Sequence, residues 1–274
     1  MDGGNSFLGS RSKGDDLMKN TAWPLFWLSW SRAVDGSFEV LLIAATAIVT
    51  YAPWALSEAL DPTSWAMSRV QAACIFAWVA APTLAIGKAA TIGSVEREGG
   101  LGSFFSGMGV PCRTRFLWAA LPSLIISAVF LVGAALVYES SFGWTVGRTL
   151  LSLQFIAAGV VVQLAIILLA MGAGAAFSAS GGTVMTLLVW FYGLYGVQLL
   201  GLMQAGANSW ALGSVWVFSP QLWLGDLTRR MVFDWGGMPW SQFAGIFSYL
   251  VLWGAIASLG GYALYRKGTG AFYR

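Results

Sequence analysis

Six stretches of this chain are apolar for about as long as a bilayer core is thick, and that property leaves few folds open. They cover roughly residues 38–56, 70–93, 117–138, 149–171, 183–203 and 243–264. A helix needs roughly 20 apolar residues to cross a bilayer. A membrane β-barrel needs short segments that alternate apolar and polar residues, and these runs do not alternate. Only 10% of the residues are charged and 57% are hydrophobic, against about 25% charged in a soluble domain. The expected class is an all-α integral membrane protein with six transmembrane helices.

The polar stretches between the runs carry the remaining information. Residues 1–20 read as a flexible tail, and a signal peptide is not expected, because the first apolar run starts late and lacks a small-residue cleavage site. In residues 21–35, Trp23, Phe26, Trp27 and Trp30 recur at i, i+3, i+4 and i+7, with Ser29, Ser31 and Arg32 opposite. That pattern predicts a helix lying flat at the membrane interface. The alternative is that these residues are the first turns of the next span; the Asp35-Gly36-Ser37 break favours a separate element. Glu39, at the inner end of the first run, reads as an orienting group. Residues 57–67 read as a short outer loop, and Pro82 and Gly87 predict a kink in the second span.

The loop at 94–116 is the longest charged interruption in the first half of the membrane part. It opens with Glu96-Arg97-Glu98 and closes with Arg113 and Arg115. Leu101, Phe104, Phe105 and Met108 again fall at i, i+3, i+4 and i+7, one side of a short helix. Glycines at 99, 100, 102, 107 and 109 weaken that helix by itself, each costing roughly 0.5–1 kcal/mol relative to Ala. A weak helix with a greasy face is an element ordered by docking. The plainer alternative is a loop whose apolar side rests in the lipid interface.

The 172–182 stretch is small and uncharged and reads as an inner loop. The segment 204–240 is the longest outer region. Within it Ser219-Pro220 starts a helix with Trp223, Leu224, Leu227 and Met231 on one face. Asp226 opposes Arg229 and Arg230 at i+3 and i+4. Asp226, Arg229 and Arg230 are a candidate outer gate; a lid with a mundane surface ion pair is the other reading. With both termini inside, eleven of the 15 Lys and Arg fall on the cytoplasmic side, and Arg69, Arg148, Arg229 and Arg230 fall outside. The positive-inside rule therefore places 94–116 in the cytoplasm.

Several chemistries are excluded. The chain has no histidine, so the commonest general base and metal ligand is missing. The two cysteines, Cys74 and Cys112, are expected in different environments and unpaired. No metal site is expected. No G-x-x-x-x-G-K-[ST] pattern occurs, so the chain cannot bind ATP in the usual way. The net charge of +3 is too small to argue for nucleic acid. No ionisable residue falls mid-span, where a secondary transporter couples to an ion. The expectation is a chain with no catalytic site.

The pattern resembles the ABC-2 type transporter permeases, and the resemblance covers the chain from Thr21 on. Glu96, Arg97 and Glu98 resemble that family's acidic cluster, Gly99, Gly100 and Leu101 its Gly-Leu step, and Pro111 and Arg113 its closing turn. The 21–35 helix matches the family's elbow helix by position. The chain departs from the family in having Gly, Ser and Phe where Leu is usual, and in placing its Pro late.

The resemblance implies a single six-span permease domain over 21–274, with an elbow helix, a cytoplasmic coupling helix between spans 2 and 3, and an amphipathic or re-entrant outer segment between spans 5 and 6. It implies a partner ATPase contacted through Glu96, Arg97, Glu98, Leu101, Phe104, Phe105, Met108 and Arg113. That partner would hold ATP and Mg; this chain would hold no cofactor. A second permease copy or homologue would complete a dimer in the cell (inner) membrane. The expected function is ATP-driven export of a cargo, amphipathic or lipid-like by the aromatic content of the spans. The alternative is a mechanotransmitting subunit that couples the ATPase to a periplasmic assembly or maturation factor without moving a free substrate.

Overall fold

The structure, a computed structural model, describes residues 23–34, 36–55, 61–98, 101–207, 210, 214 and 219–270, with the side chains at 52–55, 101–103 and 204–207 outside the description. The tail 1–20, Thr21, Asp35, Gly99, Gly100, the side chain of Leu101 and most of 204–218 lie outside the described residues.

Every regular element among the described residues is helical. Helix α1 (Trp23–Ala33) precedes α2 (Ser37–Ala55), and the axes of the two are bent by 57°. Helix α3 (Pro62–Ile75) runs through a π-helical turn (Phe76–Ala80) into α4 (Ala81–Glu98). The short α5 (Leu101–Gly107) leads to α6 (Cys112–Phe142) and α7 (Val146–Ala176). Helix α8 (Ala179–Phe191) passes a second π turn (Tyr192–Gly196) into α9 (Val197–Ala207). A 3₁₀ turn (Leu222–Gly225) and α10 (Thr228–Val232) precede α11 (Trp240–Gly268).

Among the described residues, five helices are long and apolar enough to cross a membrane: Pro62–Glu98, Cys112–Phe142, Val146–Ala176, Ala179–Met203 and Trp240–Gly268. The bent pair Trp23–Ala33 and Ser37–Tyr51 passes the same test together, as a sixth. The chain reads as a multi-pass helical membrane protein.

Two sequence expectations change. Pro62 does not lie in a loop; it opens α3. Asp61 accepts a hydrogen bond from the Ser64 N–H at 3.2 Å, and Pro62 fills the first helical position, where its missing N–H costs nothing. Arg69 thereby falls inside a helix. The 172–182 stretch is not a loop either. Helix α7 continues to Ala176, and Ser178 already caps α8 by accepting from the Gly181 N–H at 3.0 Å. The glycines serve close packing instead. A Cβ at Gly172 would collide with the Gly261 carbonyl of α11, and one at Gly174 with the Ala90 carbonyl of α4. Small residues let apolar helices approach where lipid gives no hydrophobic drive, and α7 is the helix around which α4, α6, α8 and α11 gather.

The expected irregularity near Pro82 takes a definite form. The Ala81 N–H bonds to the Phe76 carbonyl, one residue further back than in an α-helix. In that register the donor owed to the Ala77 carbonyl is residue 82, a proline with no N–H. The Gln163 amide of α7 supplies it, with Nε2 donating to the Ala77 oxygen at 2.8 Å. Ser127 of α6 in turn donates to Gln163 Oε1 at 2.6 Å. The π turn, α7 and α6 are thus tied by buried polar contacts.

Candidate functional site

The end of the bundle that carries α5 gathers most of the sequence-predicted residues. Glu96 lies in the last turn of α4 with only 4% of its surface exposed. The Tyr265 hydroxyl of α11 donates to Glu96 Oε2, and Arg115 of α6 and Arg32 of α1 are close enough for their charges to act on it. Its second oxygen, Oε1, is buried with no hydrogen-bond partner among the described residues. Four elements therefore converge on one carboxyl group.

Arg97 points the other way. Its Nη1 donates to the carbonyls of Phe177, Ala176 and Ala175 at 2.9, 3.3 and 3.4 Å. These are carbonyls that the end of α7 leaves without intrahelical donors, and a cation there also meets the negative end of the helix dipole. Nη2 donates to Glu98 Oε1 at 2.9 Å. The triplet read in sequence as one charged surface is divided: Glu96 inward, Arg97 on the helix end, Glu98 exposed.

The apolar stripe is divided too. Phe105 is 5% exposed and packs with Leu25 of α1, Val110 and Trp118. Phe104 is 61% exposed, and Met108 and Arg113 are also exposed. Helix α5 stops at Gly107, just before Met108. Gly109, at φ +76°, turns the chain, and the N–H groups of Met108 and Val110 return to the carbonyls of Phe104 and Phe105 at 3.1 and 3.0 Å. On α1, the aromatic row lies on the outer side: Phe26 stacks on Trp23 and Trp30, each at 5.8 Å, and Trp23 and Trp27 are exposed. Leu25, Ser29 and Ala33 form the buried side.

At the opposite end, the expected helix from Ser219 is two short pieces. Asp226 ends the 3₁₀ turn and accepts from both the N–H (3.0 Å) and the hydroxyl of Thr228, which starts α10 afresh. Burial pushes the Asp226 carboxyl above its ordinary range, against the Thr228 hydrogen bonds and the charge of Arg229. Arg230 donates to the Gly236 carbonyl at 3.3 Å, and Arg229 is exposed. The first piece wedges between helices: a Cβ at Gly225 would touch Leu250, Val162 and Trp78, from three different spans. Around it the Tyr249 hydroxyl receives the Gln221 N–H at 3.0 Å and donates to the Ser219 carbonyl at 3.2 Å.

A second anchor follows. Asp234 takes the left-handed conformation (φ 50°), which Asp tolerates better than most residues. Arg148 Nε donates to Asp234 Oδ1 at 2.9 Å, and the Tyr138 hydroxyl to the same oxygen at 2.7 Å. The Arg148 guanidinium holds the Asp234 carboxyl below the usual range. Gln154 exchanges two hydrogen bonds with the backbone of Met238, at 2.9 and 2.8 Å.

Sequence reasoning missed Gln154, Gln163, Tyr138 and Tyr265. Two amides inside one apolar run were the available signal, because a buried amide in a span must find partners. Compared with known proteins, the chain matches no family model, and no curated protein matches its sequence.

Proposed function

We propose that this chain is the membrane subunit of an ATP-driven exporter, powered by a separate ATPase that docks on the 96–115 segment. The observation that carries this reading is the division of α5. Phe104 faces outward while Phe105, its neighbour in sequence, is buried against α1. One face is free for a partner and the other grips the chain's own helix.

The residues then take distinct roles. Phe104, Met108, Glu98 and Arg113 contact the ATPase. Phe105 passes displacement to α1 through Leu25. Glu96 and Arg97, tied to α11 and α7, make the root of the segment move with the spans. ATP and Mg belong to the partner, and a second copy or a homologue completes the path. In this reading α1 is the elbow, α2 the first of six spans, and the 96–115 end is cytoplasmic. An apolar, aromatic interior suits an amphipathic cargo.

A cross-linking experiment tests the docking. A Phe104→Cys variant, in a Cys112→Ser background and in membranes of cells that make the protein, is treated with a thiol–amine cross-linker. The expected product joins the chain to a nucleotide-binding subunit, with a yield that changes when ATP is added. The same product from Trp144→Cys, at the opposite end, or none from Phe104→Cys, would sink the proposal.

A second reading, force transmission to a partner on the far side, draws on one observation. Phe233 and Trp235 stack at 5.6 Å and are exposed, flanking the anchored Asp234. A rigid exposed aromatic pair suits a protein contact.

A further inference from the structure

Helices α2, α3 and α6 leave a groove of about 270 Å³ between them, open along one side. Leu42, Val49, Phe76, Val129 and Val137 make it apolar. The threonines that reach it, Thr46 and Thr50, are satisfied by the carbonyls of Leu42 and Thr46 in their own helix. One charged residue lines it: Arg69. Its guanidinium lies over the Trp65 ring, 4.8 Å from the centroid. Its Nε is buried with no hydrogen-bond partner, and no carboxylate pairs with it among the described residues.

The placement of Arg69 argues for an occupant. A cation inside an apolar helix is costly in a bilayer unless something answers its charge, and such residues mark binding sites or ion paths. The groove runs along α6 from Val129 to Val137, about 12 Å at 1.5 Å per residue. That length suits the upper part of one acyl chain. Arg69 lies towards the end where α2 finishes and α3 begins, together with Thr50 and Val137. A charged headgroup and a chain are therefore offered their contacts in the order a bilayer lipid presents them.

We propose that this groove binds one anionic phospholipid, its phosphate on Arg69 and an acyl chain between α2 and α6. The site is independent of the ATPase docking described above. A phosphate beside a guanidinium forms charge-assisted hydrogen bonds that no zwitterionic lipid offers without a competing cation of its own.

The test uses the full chain in mild detergent, loaded from an equimolar mixture of phosphatidylglycerol and phosphatidylcholine, with retained lipid counted by native mass spectrometry. The expected result is one phosphatidylglycerol per chain, enriched at least fivefold over phosphatidylcholine. Arg69→Gln should abolish the preference, and Arg69→Lys should keep part of it. A second variant guards against misfolding of the first. A Cβ at Gly133 meets nothing within 4 Å, so Gly133→Leu fills the groove while leaving Arg69 in place, and it should lose the bound lipid too. Equal retention of the two lipids would overturn the proposal, as would retention unchanged in both Arg69→Gln and Gly133→Leu. Displacement by inorganic phosphate alone would make this a phosphate site and overturn it. Loss of a dimer in Gly133→Leu without any change in lipid would assign the groove to a second copy of the chain and overturn it as well.

Discussion

Gln163 Nε2 donates to the Ala77 carbonyl at 2.8 Å, filling the place of the N–H that Pro82 lacks. The π turn between α3 and α4 and the amide in α7 are therefore one feature in two parts of the sequence. Replacing Gln163 with Leu should destabilise the protein by about 1–2 kcal/mol, because the Ala77 oxygen and the Ser127 hydroxyl both lose a partner. Adding Ser127→Ala should cost less than its separate effect, since the pair shares one bond. Denaturation of the detergent-solubilised variants measures both; strict additivity would mean that the Ser127–Gln163 bond contributes nothing.

The close crossing of α7 and α11 gives a paired prediction. Gly172→Ala drives a methyl group into the Gly261 carbonyl, and should destabilise by about 1–3 kcal/mol as an overpacked contact. Gly245→Ala, where a Cβ meets nothing within 4 Å, should be neutral or slightly stabilising, since Gly in a helix interior costs roughly 0.5–1 kcal/mol relative to Ala. Thermal unfolding of the two variants side by side separates crossing geometry from helix propensity. Equal effects would contradict the crossing.

Asp234 predicts an acid-sensitive segment between α10 and α11. Arg148 lowers its folded-state pKa, so its contribution is fully present above the unfolded aspartate value of about 3.9. That contribution is lost as pH falls through the lowered folded value. Asp234→Asn should cost about 1 kcal/mol at neutral pH, in line with a partly exposed ion pair. It should also flatten the loss of stability as the pH falls below about 4. Unfolding of parent and variant across that range checks the sign: a variant that gains stability over the parent at neutral pH would refute it.

Much of the architecture was legible because bilayer-length apolar runs admit few structures. The separation of α1 from α2 could be read from Asp35-Gly36-Ser37, and the structure bends the chain there by 57°. Helix ends were read less well. By hydropathy Pro62 reads as a loop residue, because the cap that makes it a helix start, Asp61, is a local hydrogen bond that hydropathy does not register. The 172–182 glycines look like a loop in composition and act as packing surfaces, a property of the facing helix. Around the candidate site, periodicity put Phe104, Phe105 and Met108 on one stripe. A stripe does not say which members face the chain's own α1, so it could not divide Phe105 from Phe104. The inward turn of Glu96 depends on Tyr265, 169 residues away.

Tyr265→Phe should leave the buried Glu96 carboxyl group without its donor and cost about 1–3 kcal/mol. Glu96→Gln with Tyr265→Phe should cost less than the sum, because both changes act on one shared contact. A thermal-unfolding double-mutant cycle reads the coupling, and a coupling of zero would mean that Glu96 does not tie α4 to α11.

The central claim is that the 96–115 segment is the handle of an ATP-driven machine. The most direct measurement is co-purification of the tagged chain in mild detergent, with ATP hydrolysis assayed in the eluate, for the parent and for Glu98→Arg combined with Phe104→Asp. Both substituted side chains are exposed, so folding should survive, and an unchanged helical spectrum would verify it. The account predicts that a nucleotide-binding subunit and its ATPase activity accompany the parent and are lost, by tenfold or more, from the double variant. An ATPase retained equally by both, or a parent that carries none under several gentle conditions, would contradict it.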